Sequence, residues 1–250
     1  MGSELVVSGT ELTAFQRSFL RPLACNGPRT GKYAFARPDC KRRTGIALFL
    51  ALLLVCAVSF DCRAETRLLV LGDSLTAGYG LPPEQAFPAQ LETRLKKDGY
   101  PVTVINAGVS GDTSAGGRAR LGWALADRPD LVLVELGAND GLRGLDPGAM
   151  KGKLDAIIRT LRGKGIGVML AGMLAPPNMG PVYEREFNAV FPALAREHDI
   201  VFYPFFLDGV AADPALNQRD GIHPNAKGVA AIVDRIAPFV VRLLKRGKGK

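Results

Sequence analysis

The strongest constraint on the fold is a set of short, uncharged apolar runs that recur between Arg67 and Pro204. Leu68-Leu69-Val70-Leu71 and Leu131-Val132-Leu133-Val134 have no polar face, and Val102-Thr103-Val104-Ile105, Val168-Met169-Leu170-Ala171 and Val201-Phe202-Tyr203 are similar. Runs of this length without alternation read as strands buried on both sides, as in a parallel sheet. Between them, apolar residues recur at helical spacing. Phe87, Leu91 and Leu95 form one stripe, and Leu121 and Leu125 lie on one face of a helix expected over 115–126. Leu154, Ile157, Ile158 and Leu161 form another, which Gly163 is expected to end, followed by Phe187, Val190, Phe191 and Leu194. A last helix from about Asn225 turns Val229, Ile232, Val233 and Ile236 inward. Strands joined by helices of this length require right-handed crossovers, so the fold class is α/β with three layers, in one domain spanning 65–250.

The residues before Glu65 read differently. Lys41-Arg42-Arg43 precede an uncharged run from Thr44 to Phe60, and Cys62-Arg63-Ala64 supplies small residues at the positions a signal peptidase needs. Residues 41–64 therefore read as a signal peptide cut after Ala64, and the run is short for a membrane anchor. Residues 1–40 are polar, mixed and aperiodic, an extension read as disordered or as the product of an upstream start. Cys25, Cys40, Cys56 and Cys62 all lie before the cut. The mature chain would hold no cysteine, which suits a periplasmic or secreted location and excludes thiolate nucleophiles and zinc–thiolate sites. Of the net charge of +8, five units fall before Glu65 and three from Glu65 onward. The one basic cluster in the domain is Arg242, Lys245, Arg246, Lys248 and Lys250. Such a tail can touch anionic lipid but also reads as a solvated end, and no nucleic-acid partner is argued from it.

In a parallel sheet the segments that leave the strand ends share one rim, where binding residues collect. Five such segments carry unusual residues. Ser74 follows the first strand, and Asn106-Ala107-Gly108-Val109-Ser110-Gly111-Asp112 follows the second. Gly137-Ala138-Asn139-Asp140 follows the third, Ala175-Pro176-Pro177-Asn178 the fourth, and Asp220-Gly221-Ile222-His223-Pro224 precedes the last helix. Histidine is the commonest base for a serine nucleophile. Of the two histidines, His198 reads as an exposed residue at a helix end. His223 is held extended by Pro224, and Asp220 three positions earlier can reach its Nδ1, leaving Nε2 for a hydroxyl. Gly111, Asn139 and the Ser74 N–H can supply donors to a developing oxyanion. Each residue also has a plain structural reading: Ser74 as a helix cap, Gly111 as a tight turn, Asn139 as an Asx-turn, and Pro224 as the first residue of a helix.

Taken together, Gly72-Asp73-Ser74-Leu75, Gly111, Gly137-Ala138-Asn139-Asp140 and Asp220-Gly221-Ile222-His223 resemble the four blocks of the GDSL, or SGNH, hydrolase family. The flanking residues look like the bacterial branch of thioesterases, lysophospholipases and arylesterases. The resemblance implies a flavodoxin-like five-stranded sheet, a secreted monomer, and hydrolysis of acyl esters and thioesters without metal or cofactor. It implies Ser74 as nucleophile, His223 as base, Asp220 as its orienter, and Gly111 with Asn139 as oxyanion donors. It also implies that the loop after the fourth strand, Leu174, Ala175, Pro176, Pro177 and Asn178, forms an acyl-binding wall, to which apolar Met173 and Met179 can add. A carbohydrate O-acetyl esterase of the same family is the nearest rival, with a non-catalytic binding module behind it. A nucleotide-binding domain is disfavoured, because the first loop lacks Gly-x-Gly-x-x-Gly and a phosphate-loop lysine.

Overall fold

The computed structural model describes residues 65–247. The leader read over 41–64, the extension 1–40, and Lys248 and Lys250 lie outside them. Five strands, β1 (Thr66–Gly72), β2 (Val102–Gly108), β3 (Leu131–Glu135), β4 (Gly167–Ala171) and β5 (Val201–Tyr203), form one parallel sheet in the order β2-β1-β3-β4-β5. All five correspond to the apolar runs. Leu68 to Leu71 have no exposed surface, because helices cover both faces of the sheet.

The helices are α1 (Ser74–Ala77), α2 (Phe87–Lys97), α3 (Ser114–Ala119), α4 (Leu121–Ala124), α5 (Ala138–Leu142), α6 (Pro147–Gly163), α7 (Pro181–Glu197) and α8 (Ala226–Gly247). On one face α2 packs against α8; on the other α6 packs against α3 and α7. The stripes predicted for α2, α6, α7 and α8 are the buried ones. Asp146 caps α6 through the N–H groups of Gly148 and Ala149, with Pro147 at its first position.

Two expectations are corrected. The helix expected over 115–126 is broken into α3, α4 and a 3-10 turn at Leu125–Asp127. Gly116, Gly117 and Gly122 weaken it, and Arg120 leaves helical geometry at φ −95° and ψ 3°. The Arg120 guanidinium reaches Asp112 and the carbonyl oxygen of Gly72 instead. α6 ends at Gly163, as expected. The stop is Gly165, at φ +76°, with Gly165 N–H donating to Arg162 O and Ile166 N–H to Leu161 O. His198 does sit at the end of α7, but it is half-buried rather than exposed. Its Nε2 lies 2.7 Å from an Asp155 oxygen on α6, which ties the two helices together.

Part of the basic tail makes contacts within the chain at its surface. Arg242 lies over the Phe239 ring, and Arg246 donates to the Asp199 carbonyl oxygen.

The strand order matters for the site. From β1 the chain crosses to β2 on one side, and β3 pairs with β1 on the other. The crevice at the carboxyl ends of β1 and β3 is therefore the point where the order reverses, where ligands bind in open parallel sheets.

Candidate active site

Ser74 opens α1 at the end of β1, but it is not the cap. Asp73 holds that position, its carboxylate accepting the Leu75 N–H at 3.0 Å, so the Ser74 hydroxyl is free of capping. The helix lasts four residues and stops at Gly78, at φ +82°. Ser74 Oγ lies 3.0 Å from His223 Nε2, and His223 Nδ1 lies 2.7 Å from Asp220 Oδ2. The reading of Pro224 as the first residue of a helix does not hold. Asn225 caps α8, its Oδ1 accepting from Lys227 and Gly228 N–H groups.

Asp220 is fixed by its own turn. Its Oδ1 accepts the N–H groups of Ile222 and His223, each at 3.0 Å. Those bonds, His223 N–H foremost, with the contact to the imidazole, hold its carboxyl down at about 2. An ionised carboxylate only accepts, so Nδ1 carries the ring proton and donates to Asp220, while Nε2 accepts from the Ser74 hydroxyl.

Of the expected oxyanion donors, Asn139 lines one cleft with Ser74, whereas Gly111 is not among the residues lining it. Among the described residues, neither Ser74 N–H nor Gly111 N–H finds an acceptor. Gly111 sits at φ +83°, and Arg143 holds its carbonyl oxygen at 2.7 Å. Asn139 lies between the serine and glycine segments, donating from Nδ2 to Asp73 Oδ2 at 3.1 Å and to Asp112 O at 3.0 Å. Both its amide hydrogens are thus engaged, and one must change acceptor to serve a ligand. Ser114 donates from N and Oγ to the buried Asp140 carboxylate, which fastens the glycine segment to the asparagine segment.

The serine opens into a cleft of about 480 Å³, lined by Ser74, Asn139 and His223 with mostly apolar neighbours. That volume suits a small-molecule site. Of the wall expected after β4, Leu174, Ala175, Pro176 and Pro177 line the cleft, as does Met173. Asn178 and Met179 do not. They belong to a 3-10 turn at Pro177–Met179 that carries them past it, and the Met179 methyl packs at Gly144. A hollow of about 600 Å³ at the amino ends of the strands is larger, but its lining offers no nucleophile and base.

Sequence reasoning missed several residues. Phe205, Leu207, Ala211 and Ala212 form the opposite wall of the cleft, from an irregular segment after β5 with no periodicity to reveal it. The Tyr79 ring lies tilted against the His223 ring with centroids 4.5 Å apart. Gln218 ties the histidine turn to the exit of α1, donating from Nε2 to Tyr79 O at 2.8 Å and to Pro224 O at 3.0 Å. No local sequence pattern announces this contact.

Burial pushes the Asp73 carboxyl up from its ordinary 3.8 to about 6, although Leu75 N–H and Asn139 oppose the shift. The folded protein therefore holds that proton to a higher pH than the unfolded chain. The stability so contributed is fully present below pH 3.8 and is lost as pH rises through about 6. Urea unfolding at pH 4 and pH 7 should show the parent losing on the order of 1–3 kcal/mol relative to Asp73→Asn over that interval. A parent that gains on the variant over the same interval contradicts the assignment.

A three-layer α/β fold with an unbroken carboxylate–imidazole–hydroxyl chain at its switch point defines a hydrolase of the serine type. More particularly, the chain belongs to the GDSL-like lipase/acylhydrolase family, whose model matches residues 70–231. It is 41% identical to esterase TesA of Pseudomonas aeruginosa over 199 residues, covering 79% of this chain and 99% of that one. Over 191 residues it is 40% identical to thioesterase 1/protease 1/lysophospholipase L1 of Escherichia coli strain K12, covering 76% of this chain and 88% of that one. The crystal structure of AlinE4, an SGNH-hydrolase family esterase, superposes with a TM-score of 0.61 at 44% identity, covering 72% of this chain and 97% of that one.

Proposed function

We propose that the protein is a secreted serine esterase and thioesterase that hydrolyses esters of medium-length acyl chains, acting as a monomer. The observation that carries this reading is the relay from Asp220 through His223 to Ser74, opening directly into an apolar cleft. His223 takes the Ser74 proton as Oγ attacks the acyl carbonyl. The oxyanion settles on the N–H groups of Ser74 and Gly111 and on Asn139, which gives up one present acceptor. His223 then protonates the leaving alcohol or thiol, and water repeats the sequence on the acyl-serine to release the acid. All three polar groups of the relay belong to one chain, so the chemistry needs no second copy.

Aryl esters, lysophospholipids and thioesters are the substrate types that the relatives' names suggest, and acyl-CoA is the thioester expected here. The cleft supports an acyl chain over a sugar. Leu142, Met173, Leu174, Phe205, Leu207 and Ile222 line it, and a carbohydrate ester would leave its hydroxyls without partners there. The rival O-acetyl esterase reading predicts activity confined to acetyl.

Initial rates on nitrophenyl esters from acetyl to palmitoyl test the reading. We expect a maximum at intermediate length, since each buried methylene contributes about 0.8 kcal/mol until the cleft is full. A rate that is greatest with acetyl and falls with every added carbon would overturn the acyl cleft. The leader lies outside the described residues, so secretion rests on the sequence of 41–64 alone. N-terminal sequencing of exported protein beginning at Glu65 is the matching test.

A further inference from the structure

Glu135, the last residue of β3, is wholly buried and takes no part in the proton relay. Its Oε2 accepts the Thr76 hydroxyl at 2.6 Å and the Asp73 N–H at 3.3 Å, while Oε1 has no partner. Among the described residues it forms no ion pair. A buried carboxyl without a cation is costly, and an apolar residue would fill the same space at less cost.

What the carboxyl touches gives it a use. Asp73 and Thr76 bracket Ser74, so the two bonds grip the β1–α1 joint on either side of the hydroxyl-bearing residue. The grip is needed because α1 has four residues, too few to hold a helical conformation by itself. His223 comes from a turn far along the chain, and its 3.0 Å contact with Ser74 holds only if α1 is fixed relative to the sheet. The sequence makes room for this arrangement. Gly72 is paired in register with Glu135, and a Cβ there would come within 2.0 Å of Thr76 Oγ1 and 2.4 Å of Glu135 Oε2.

We propose that Glu135 is a positioning residue that acts through Thr76 and the Asp73 amide, as a hydrogen-bond acceptor rather than as a counter-charge, to hold Ser74 at attack distance from His223. The inference rests on the reading of Ser74 as nucleophile. Burial, with the neighbouring Asp73 carboxyl second, raises the Glu135 carboxyl well above the usual carboxylate range, which agrees with an acceptor that carries no charge.

The test uses the full chain and nitrophenyl butyrate, with kcat and KM measured for four variants beside Ser74→Ala. Thr76→Val keeps the shape and removes the donor, so kcat should fall about tenfold or more with KM within about twofold. Thr76→Ser keeps the donor and should stay within about threefold of the parent. Glu135→Gln keeps an acceptor oxygen and should also stay within about threefold, whereas Glu135→Leu should match Thr76→Val. Thr76→Val with an unchanged kcat overturns the inference, whatever Glu135→Leu does to folding. Glu135→Gln as impaired as Thr76→Val shows that charge is required and overturns it as well. If Ser74→Ala itself keeps turnover, the nucleophile assignment is what has failed.

Discussion

Ser74→Ala should reduce kcat/KM on nitrophenyl butyrate by at least about a thousandfold while leaving thermal unfolding close to the parent's. The size follows from the role. Removing Oγ removes the atom that would bond to the acyl carbon, and no other hydroxyl lies in hydrogen-bond contact with His223 Nε2 among the described residues. Stability should survive, because Asp73 and not Ser74 caps α1, and among the described residues Ser74 Oγ makes no hydrogen bond other than that to the imidazole. Residual turnover would come from water attacking a substrate carbonyl whose developing oxyanion the remaining donors stabilise. A loss of only severalfold, measured by initial rates on the purified variant, would mean that the hydroxyl is not the nucleophile.

Asp220→Asn should also cost heavily, about four orders of magnitude in kcat at neutral pH, for a different reason. The Asp220 turn can survive the change, because Oδ1 of the new amide still accepts from the Ile222 and His223 N–H groups. The other position becomes an NH2 facing Nδ1. Two donors cannot share that contact, so the imidazole proton moves to Nε2, and the ring no longer accepts from Ser74. A variant that keeps its fold and KM but loses kcat supports the orienting role. One that keeps kcat shows that His223 holds its tautomer without Asp220.

The outline of the fold was legible because its signals are local. Leu68–Leu71 and Leu131–Val134 are apolar on both faces, and only a strand inside a covered sheet suits such a run. The rim residues were legible for a related reason: in a parallel sheet every strand end points the same way, so Ser74, Asn139 and Asp220-x-x-His223 had to converge. What failed depended on distant partners. The broken helix at Arg120 follows from a guanidinium drawn to Asp112 and the end of β1. His198 is half-buried because Asp155, on another helix, meets it. The wall made by Phe205, Leu207, Ala211 and Ala212 belongs to irregular chain, where apolar residues keep no period and only tertiary packing gives them a face. Glu135 follows the apolar run Leu131–Val134 directly in the sequence, with no partner beside it there. Its burial became visible only with Thr76 and Gly72 placed beside it.

The central claim is that Ser74 forms a covalent bond to the substrate's acyl group, and trapping that bond tests it most directly. An alkylphosphonate nitrophenyl ester should react with the hydroxyl, releasing one nitrophenol and leaving a phosphonyl group on Oγ. Mass spectrometry after tryptic digestion should place the adduct on the peptide 68–94, in which Ser74 is the one serine. Activity should disappear in step with its formation, and Ser74→Ala should acquire no adduct. Inactivation with the label on any other residue would contradict the account.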